Sequence, residues 1–174
     1  MRNNFFAYIQ QLELMAFFSG YCLLYAIILV FAGNKEQRNN FKSRVVSVLP
    51  LSYALVGTLF LGLQLKNLYL SYSYGNIRLS IHHPYLMIWG LLSILFWIPP
   101  FRKKKELSLL HSLVFFFIVV KDIFMQIGSS VDENILKNDM RTFTVSFLLN
   151  LAAFILIALL YFFSYRIKKR LINR

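Results

Sequence analysis

The chain has 174 residues, of which 58% are hydrophobic and 17% aromatic, and its formal net charge is +12. A soluble domain of this size cannot bury so much apolar surface, whereas a lipid bilayer accepts it directly. The basic residues border apolar stretches instead of forming one patch, which argues against nucleic-acid binding and for contact with anionic lipid head groups. Cys22 is the single cysteine, so an intrachain disulfide is excluded.

Five apolar stretches follow one another along the chain, and a helix needs about 20 apolar residues to cross a bilayer. In chain order they cover 14–32, 45–65, 81–101, 107–127 and 143–165. The third is the least regular, because only residues 85–98 are strongly apolar and the rest is needed to reach a spanning length. We predict an all-α integral membrane protein, a bundle of five transmembrane helices in a single polytopic domain covering 1–174.

Lysine and arginine alternate in abundance between successive loops. Thirteen of the 19 basic residues lie in three segments, which follow the first, third and fifth stretches. By the positive-inside rule these segments are cytoplasmic, so the N-terminus is outside and the C-terminus is in the cytoplasm. An even number of crossings would put two basic segments on opposite faces, so the pattern favours five. We expect a multi-pass protein of the plasma membrane, specifically a bacterial inner membrane.

Polar side chains inside the stretches concentrate toward the predicted outer side of the membrane. Ionisable groups at membrane depth are costly and usually face protein or a wet cavity, so each is a candidate functional residue. The primary candidates are Glu13, Lys66, Lys121, Asp122 and Asn150, and the secondary candidates are His83, His111 and Gln126.

Helical phase suggests a pairing between the first two stretches. Small residues at i+4 spacing lead to Lys66 on the second stretch, namely Pro50, Ala54, Thr58 and Gly62. On the first stretch, Ala16 and Gly20 share a face with Glu13. Small residues let transmembrane backbones approach closely, so we predict that these stripes pack together and that Glu13 pairs with Lys66. The alternative is that both charged side chains simply reach the interface at helix ends.

Lys121 and Asp122 lie deep in the fourth stretch. Successive residues project about 100° apart around a helix, so these two cannot neutralise each other as stacked neighbours. Each needs a partner on another helix or on another protein, and Asn150 is one candidate. If the helix ended near Val120, both would lie in water, but residues 107–120 are too few to cross comfortably.

The sequence contains no recognisable catalytic constellation. The buried serines lack a nucleophile turn, the carboxylates are scattered, and the three histidines are not arranged to share a metal or a haem. We therefore expect no enzymatic activity and no cofactor. Transporters commonly contain internal repeats and helices broken near the midplane, and the sequence predicts neither.

These observations favour a non-enzymatic integral membrane subunit or accessory protein of a larger complex. We expect it to bind other integral membrane proteins through its intramembrane polar residues in the outer leaflet. Anionic lipid head groups at the cytoplasmic face are expected partners, and nucleic acid is not. The alternative is a small transporter or channel, in which a homo-oligomer moves an ion, a proton or a small ligand.

Overall fold

The computed structural model describes residues 2–32, 40–70, 84–128 and 133–172. Nearly all of these residues are helical, and none of them is in a strand. Their elements, in chain order, are α1 (Arg2–Phe18), α2 (Tyr21–Ala32), α3 (Asn40–Leu70), α4 (Pro84–Leu92), the 3-10 helix η1 (Ser93–Trp97), α5 (Pro99–Lys103), α6 (Lys105–Gly128) and α7 (Glu133–Ile172).

Among the described residues, four helical segments are long and apolar enough to cross a membrane, which confirms the prediction of a helical, multi-pass membrane protein. They are Tyr8–Phe31, Arg44–Asn67, Lys105–Met125 and Lys137–Ile167. These segments correspond to the first, second, fourth and fifth predicted stretches. The third stretch differs, because its apolar helical part covers only Pro84–Trp97 and consists of α4 and η1.

Local sequence divides the third segment into short pieces. The Ser93 hydroxyl donates to the Gly90 carbonyl at 2.6 Å where α4 gives way to η1. Ile98 then adopts an extended conformation, with φ −77° and ψ 129°, before Pro99 and Pro100 begin α5. A residue before proline disfavours the α region, and proline fits the first positions of a helix. The chain therefore continues in three pieces instead of one long helix.

The first apolar segment is two helices, not one. α1 ends at Phe18 and α2 begins at Tyr21, with a turn at residues 19–20 between them. In a continuous helix the Gly20 amide would donate to the Ala16 carbonyl. Here it donates to Oγ of Ser146 on α7, at 2.8 Å. The expectation that no transmembrane helix is broken is therefore wrong.

Hydrogen bonds at two levels establish the direction of the helices. Gln11 bonds Asp122 and Tyr21 bonds Ser108, so α6 runs antiparallel to α1 and α2. Corresponding contacts make α3 antiparallel and α7 parallel to α1 and α2. We call one end of the bundle the Tyr8 end, where α1 and α7 begin and α3 and α6 end. The opposite end, where α3 and α6 begin, is the Arg44 end.

α1, α2 and α3 contribute most of the core of the bundle. The Phe18 ring stacks on Phe115 of α6, with centroids 4.9 Å apart, and meets Phe60 of α3 edge-on at 5.2 Å. The remaining core includes Leu14, Tyr21, Leu24, Leu49, Tyr53 and Ala153. Because lipid tails are as apolar as these side chains, the core stabilises the bundle through close van der Waals packing, in addition to the hydrogen bonds between helices.

Two glycines permit the closest approaches between helices. A Cβ at Gly20 would collide with the backbone of Ser146 and Phe147 on α7. A Cβ at Gly57 of α3 would collide with the Ser93 side chain of η1. These positions fix the distances of α7 and η1 from their neighbours.

The small-residue stripe predicted on the second stretch packs over only part of its length. Ala54 is fully buried, but Thr58 is exposed, and no atom lies within 4 Å of a Cβ built at Gly62. The predicted packing of this stripe against the Gly20 face is therefore wrong, because Gly20 is occupied by α7.

Candidate intramembrane polar site

Asp122 lies half-buried on α6 near the Tyr8 end, and its partner is on α1. Gln11 Nε2 donates to Asp122 Oδ2 at 2.8 Å. α6 continues to Gly128, so the alternative that this helix ends near Val120 is wrong. Asn150, the candidate partner suggested by the sequence, is bonded elsewhere.

A second group of hydrogen bonds lies beside the Gln11–Asp122 pair. The Tyr8 hydroxyl donates to Asp139 Oδ1 at 3.3 Å and accepts from Asn138 Nδ2 at 3.1 Å. Asp139 is only 1% exposed. We call Tyr8, Gln11, Asp122, Asn138 and Asp139 the Tyr8-end cluster; it joins α1, α6 and α7.

Glu13 lies half-buried within the apolar segment, five residues after its start at Tyr8. Gln64 Nε2 of α3 donates to Glu13 Oε2 at 3.2 Å. Lys66 is exposed, and no ion pair joins it to Glu13 among the described residues. The predicted Glu13–Lys66 pair is therefore wrong. Its physical reason is helical phase, since Lys66 projects about 200° around α3 from the buried Gln64.

Asn150 on α7 is 1% exposed and forms hydrogen bonds at the break between α1 and α2. Its Nδ2 donates to the Phe17 carbonyl and to the Ser146 carbonyl, both at 2.8 Å. Two carbonyl acceptors require nitrogen at this position. Ser146, one turn earlier, accepts from the Gly20 amide, so α7 satisfies both a donor and an acceptor released by the break. A bilayer tolerates a broken helix only with such partners.

One buried polar atom beside the break is unsatisfied among the described residues. Asn150 Oδ1 is buried and has no hydrogen-bond partner in the part of the chain that the structure describes. A buried acceptor of this kind is costly in hydrocarbon and marks the break as a point of interest for function.

His111, a secondary candidate, is locked between α3 and α4. Nδ1 lies 2.7 Å from the Tyr53 hydroxyl and Nε2 lies 2.7 Å from the Trp89 carbonyl. A carbonyl only accepts, so Nε2 carries a proton, and in the neutral ring Nδ1 accepts from Tyr53. The Trp89 ring stacks on His111 at 5.0 Å. Both ring nitrogens are thus occupied. His83 and the side chain of Gln126 lie outside the described residues.

Lys121 is adjacent to Asp122 in sequence and projects about 100° around α6 from it. It is exposed on α6, between Phe117 (62% exposed) and Phe124 (71% exposed). No ion pair involves it among the described residues. Of the five primary candidates, the structure therefore bonds Glu13, Asp122 and Asn150 inside the bundle, and leaves Lys66 and Lys121 on its surface.

The outward surface of α6 and α7 is the least covered part of the bundle. In the apolar 18-residue stretch of each segment, 28% of the residues are buried in α6 and 17% in α7, against 56% in each of the first two segments. Exposed apolar residues along it include Leu110, Val114, Phe117, Val145, Leu148 and Leu156. Lys121 lies within this surface, near the Tyr8 end.

Sequence reasoning missed four members of the Tyr8-end cluster, namely Tyr8, Gln11, Asn138 and Asp139. They precede the predicted starts of the first and fifth stretches, whereas the apolar helical segments begin earlier, at Tyr8 and Lys137. The available signal was spacing, because Tyr8 and Gln11 are three residues apart and share a helix face.

Comparison with known proteins gives no assignment. No family model matches the chain, and neither a curated protein nor a solved structure matches it. The polar residues and the exposed faces are therefore the basis for a function.

Proposed function

We propose that this chain is a non-enzymatic integral membrane subunit or accessory protein. It binds another integral membrane protein through the exposed face of α6 near the Tyr8 end. It crosses the membrane five times, with the N-terminus outside and the C-terminus in the cytoplasm. It lies in a plasma membrane, namely the bacterial inner membrane, and meets anionic lipid head groups at the cytoplasmic face.

Helix direction supports the fifth crossing. α3 ends at the Tyr8 end and α6 begins at the Arg44 end, so the chain between them passes from one end to the other. Gln10 contacts Met87 of α4 at 3.6 Å near the Tyr8 end, and Phe96 of η1 packs on Tyr53, 5.7 Å between ring centroids, farther along. Residues 102–104 then lie at the Arg44 end, which the positive-inside rule makes cytoplasmic.

The observation that carries the docking proposal is the position of Lys121 within exposed apolar surface. Phe124 and Met125 follow it on the same face, and Ile127, six residues on, is 69% exposed. On the face of Lys121, exposed apolar surface therefore extends about 6 Å toward the end of α6, as far as Met125. A lysine at the centre of a transmembrane helix costs about 3 kcal/mol on insertion scales. Lys121 lies four residues, about 6 Å, from the end of its apolar segment, where the cost is smaller, and a carboxylate on a partner helix would offset it.

The charges at the Tyr8 end favour a different protein over a second copy of this chain. Among the described residues there, the exposed charged side chains are basic: Lys66, Lys121, Lys137 and Arg141. Asp122 and Glu13 are half-buried and bonded within the bundle. Two copies would bring like charges together, so we expect the partner to present an acidic residue in a transmembrane helix.

Affinity purification from native membranes in mild detergent, followed by native mass measurement, tests this function. We expect the wild type and Lys66→Leu to retain a stoichiometric integral membrane protein, and Lys121→Leu to lose it. Lys121→Glu should regain it when the partner's acidic residue is replaced by lysine. A wild type that purifies only as a monomer or homo-oligomer would contradict the proposal.

The break between α1 and α2 favours one second candidate, a small transporter or channel acting as a homo-oligomer. Transporter sites often use helices broken near the midplane, and the buried Asn150 Oδ1 lies beside this break. However, Leu14, Phe18 and Phe115 are buried between the Tyr8-end cluster and Asn150. Translocation would require this apolar layer to open or to be bypassed at an interface between copies.

Cysteine labelling distinguishes the two candidates. In a Cys22→Ser background, Ser146→Cys places a thiol beside the break. A water-soluble maleimide should leave it unlabelled if the bundle is a closed accessory subunit. Labelling from the outside would support a water-accessible path and hence the transporter.

A further inference from the structure

A second exposed surface lies at the Arg44 end, where α5 joins η1 to α6. Trp97, Ile98 and Phe101 are 42%, 44% and 39% exposed, and the cations that follow, residues 102–104, are exposed as well. We call residues 97–104 the α5 surface. Apolar side chains beside lysine and arginine are typical of segments that lie at the boundary between head groups and acyl chains.

Packing of α6 against α3 fixes the depth of the α5 surface. His111 contacts Tyr53. His111 lies six residues from the start of α6 at Lys105, about 9 Å, and Tyr53 lies nine residues from Arg44, about 13 Å. The start of α6 is therefore within about one helical turn of the level of Arg44, displaced toward the bilayer centre.

Arg44 marks a membrane interface on independent grounds. Its guanidinium lies 4.1 Å from the centroid of the Tyr165 ring, and its Nη2 donates to the Tyr165 hydroxyl at 3.2 Å. Tyrosine and arginine at the ends of apolar helices sit at head-group level. The cations of the α5 surface thus lie at or just inside the depth of lipid phosphates.

Two hydrogen bonds hold the α5 surface in place. The Trp97 indole donates to Thr58 Oγ1 at 2.9 Å. Thr58 lies 14 residues from Arg44, about 21 Å, so Trp97 is deeper in the bilayer than the cations. The Arg102 amide donates to the Ile98 carbonyl at 3.1 Å. Lys104 leaves the helical region, with φ −91° and ψ 80°, and the chain enters α6 at once. Turns on both sides keep these cations beside the bilayer.

We propose that the α5 surface binds the head group of an anionic phospholipid. Arg102, Lys103 and Lys104 contact the phosphate, since guanidinium matches its geometry and ammonium supplies point charges. Phe101 lies against the glycerol and upper acyl chain. Glu106 is the only acid in residues 97–110, so the positive charge is largely uncompensated.

A lipid fits this surface better than a soluble acidic partner, because large exposed apolar side chains accompany the cations. The docking face at Lys121 is at the opposite end of the bundle. Failure of one proposal therefore leaves the other standing, and separate variants test each.

Native mass spectrometry of the purified, delipidated full chain tests the inference. Phosphatidylglycerol and phosphatidylcholine are titrated separately. We expect the wild type to prefer phosphatidylglycerol, and R102Q/K103Q/K104Q to bind it at least about tenfold more weakly. The matched control K66Q/K137Q/R141Q removes the same charge at the Tyr8 end and should bind it like the wild type.

Three outcomes would overturn the inference: equal loss in both triple variants, equal binding of the two lipids by the wild type, or displacement of phosphatidylglycerol by inorganic phosphate at equal concentration. If the triple variant does not fold, the thermal stability of the wild type with added lipid tests the inference by itself. Phosphatidylglycerol should raise its Tm, and the rise should shrink with salt because the attraction is screened. A rise that salt leaves unchanged would also overturn the inference.

Discussion

Gln11 Nε2 donates a 2.8 Å hydrogen bond to Asp122 Oδ2, which joins α1 to α6 near the Tyr8 end. This bond distinguishes two charges that are adjacent in sequence. Asp122 has a partner inside the bundle, whereas Lys121 lies on the exposed face of the same helix. The docking proposal therefore rests on Lys121. The hydrogen bond to Asp122 fixes the rotation of α6 about its own axis, and this rotation keeps Lys121 on the exposed face.

The Gln11–Asp122 bond should contribute measurably to stability. We expect Gln11→Leu to lower the free energy of unfolding by about 1 kcal/mol, because the half-buried carboxylate loses its donor. Denaturant unfolding in detergent micelles measures this change. The double variant Gln11→Leu/Asp122→Leu should recover most of the loss, since removing both partners leaves no unsatisfied group. Additive losses would show that the two residues do not interact.

Two glycines provide a matched test of helix packing. Gly20→Ala should destabilise the protein by about 1 to 3 kcal/mol, because its Cβ would meet the backbone of α7 at Ser146 and Phe147. Gly62→Ala makes the same change inside α3 where no atom lies within 4 Å, and it should leave stability unchanged or raise it by up to about 1 kcal/mol. Thermal unfolding of both variants measures the difference. Equal Tm values would contradict the close approach of α1 and α7.

The hydrogen bonds of His111 predict its tautomer. We expect a neutral ring protonated at Nε2, because the Trp89 carbonyl can only accept and Tyr53 can donate to Nδ1. Nitrogen NMR of histidine-labelled protein in micelles measures which ring nitrogen of His111 carries the proton. Tyr53→Phe should shift the Nδ1 resonance and cost about 1 kcal/mol of stability. A ring protonated at Nδ1 would contradict the arrangement.

Single cysteines test the five crossings and the orientation. In a Cys22→Ser background, an impermeant maleimide added to intact cells should label Lys66→Cys and Arg141→Cys. Lys104→Cys should be labelled only after the membrane is permeabilised. Labelling of Lys104→Cys in intact cells would mean that the α4–η1–α5 segment does not cross or that the orientation is inverted.

The helices themselves were predictable because apolar length alone determines them. The stretches at 45–65 and 107–127 agree closely with Arg44–Asn67 and Lys105–Met125. The break between α1 and α2 was not predictable from Ser19 and Gly20, since both residues also occur in continuous transmembrane helices. It depends on Ser146 and Asn150, which are distant in sequence and supply the missing hydrogen bonds.

The candidate site was only partly predictable for a related reason. Asp122 and Asn150 stood out as polar residues in apolar runs, but periodicity gives no contact between helices. Gln11 was missed because it precedes the predicted start of the first stretch. Lys66 was paired wrongly, since the true partner of Glu13 is Gln64, two residues earlier and on the buried side of α3.

Photo-crosslinking in native membranes tests the docking face most directly. A photoreactive amino acid placed at Phe117 or Phe124 samples the surface around Lys121, and one at Leu59 samples an exposed part of α3 as a control. The account predicts a discrete adduct with a different membrane protein from positions 117 and 124, lost in the Lys121→Leu background and absent from position 59. Adducts with lipid alone, or with a second copy of this chain, would contradict it.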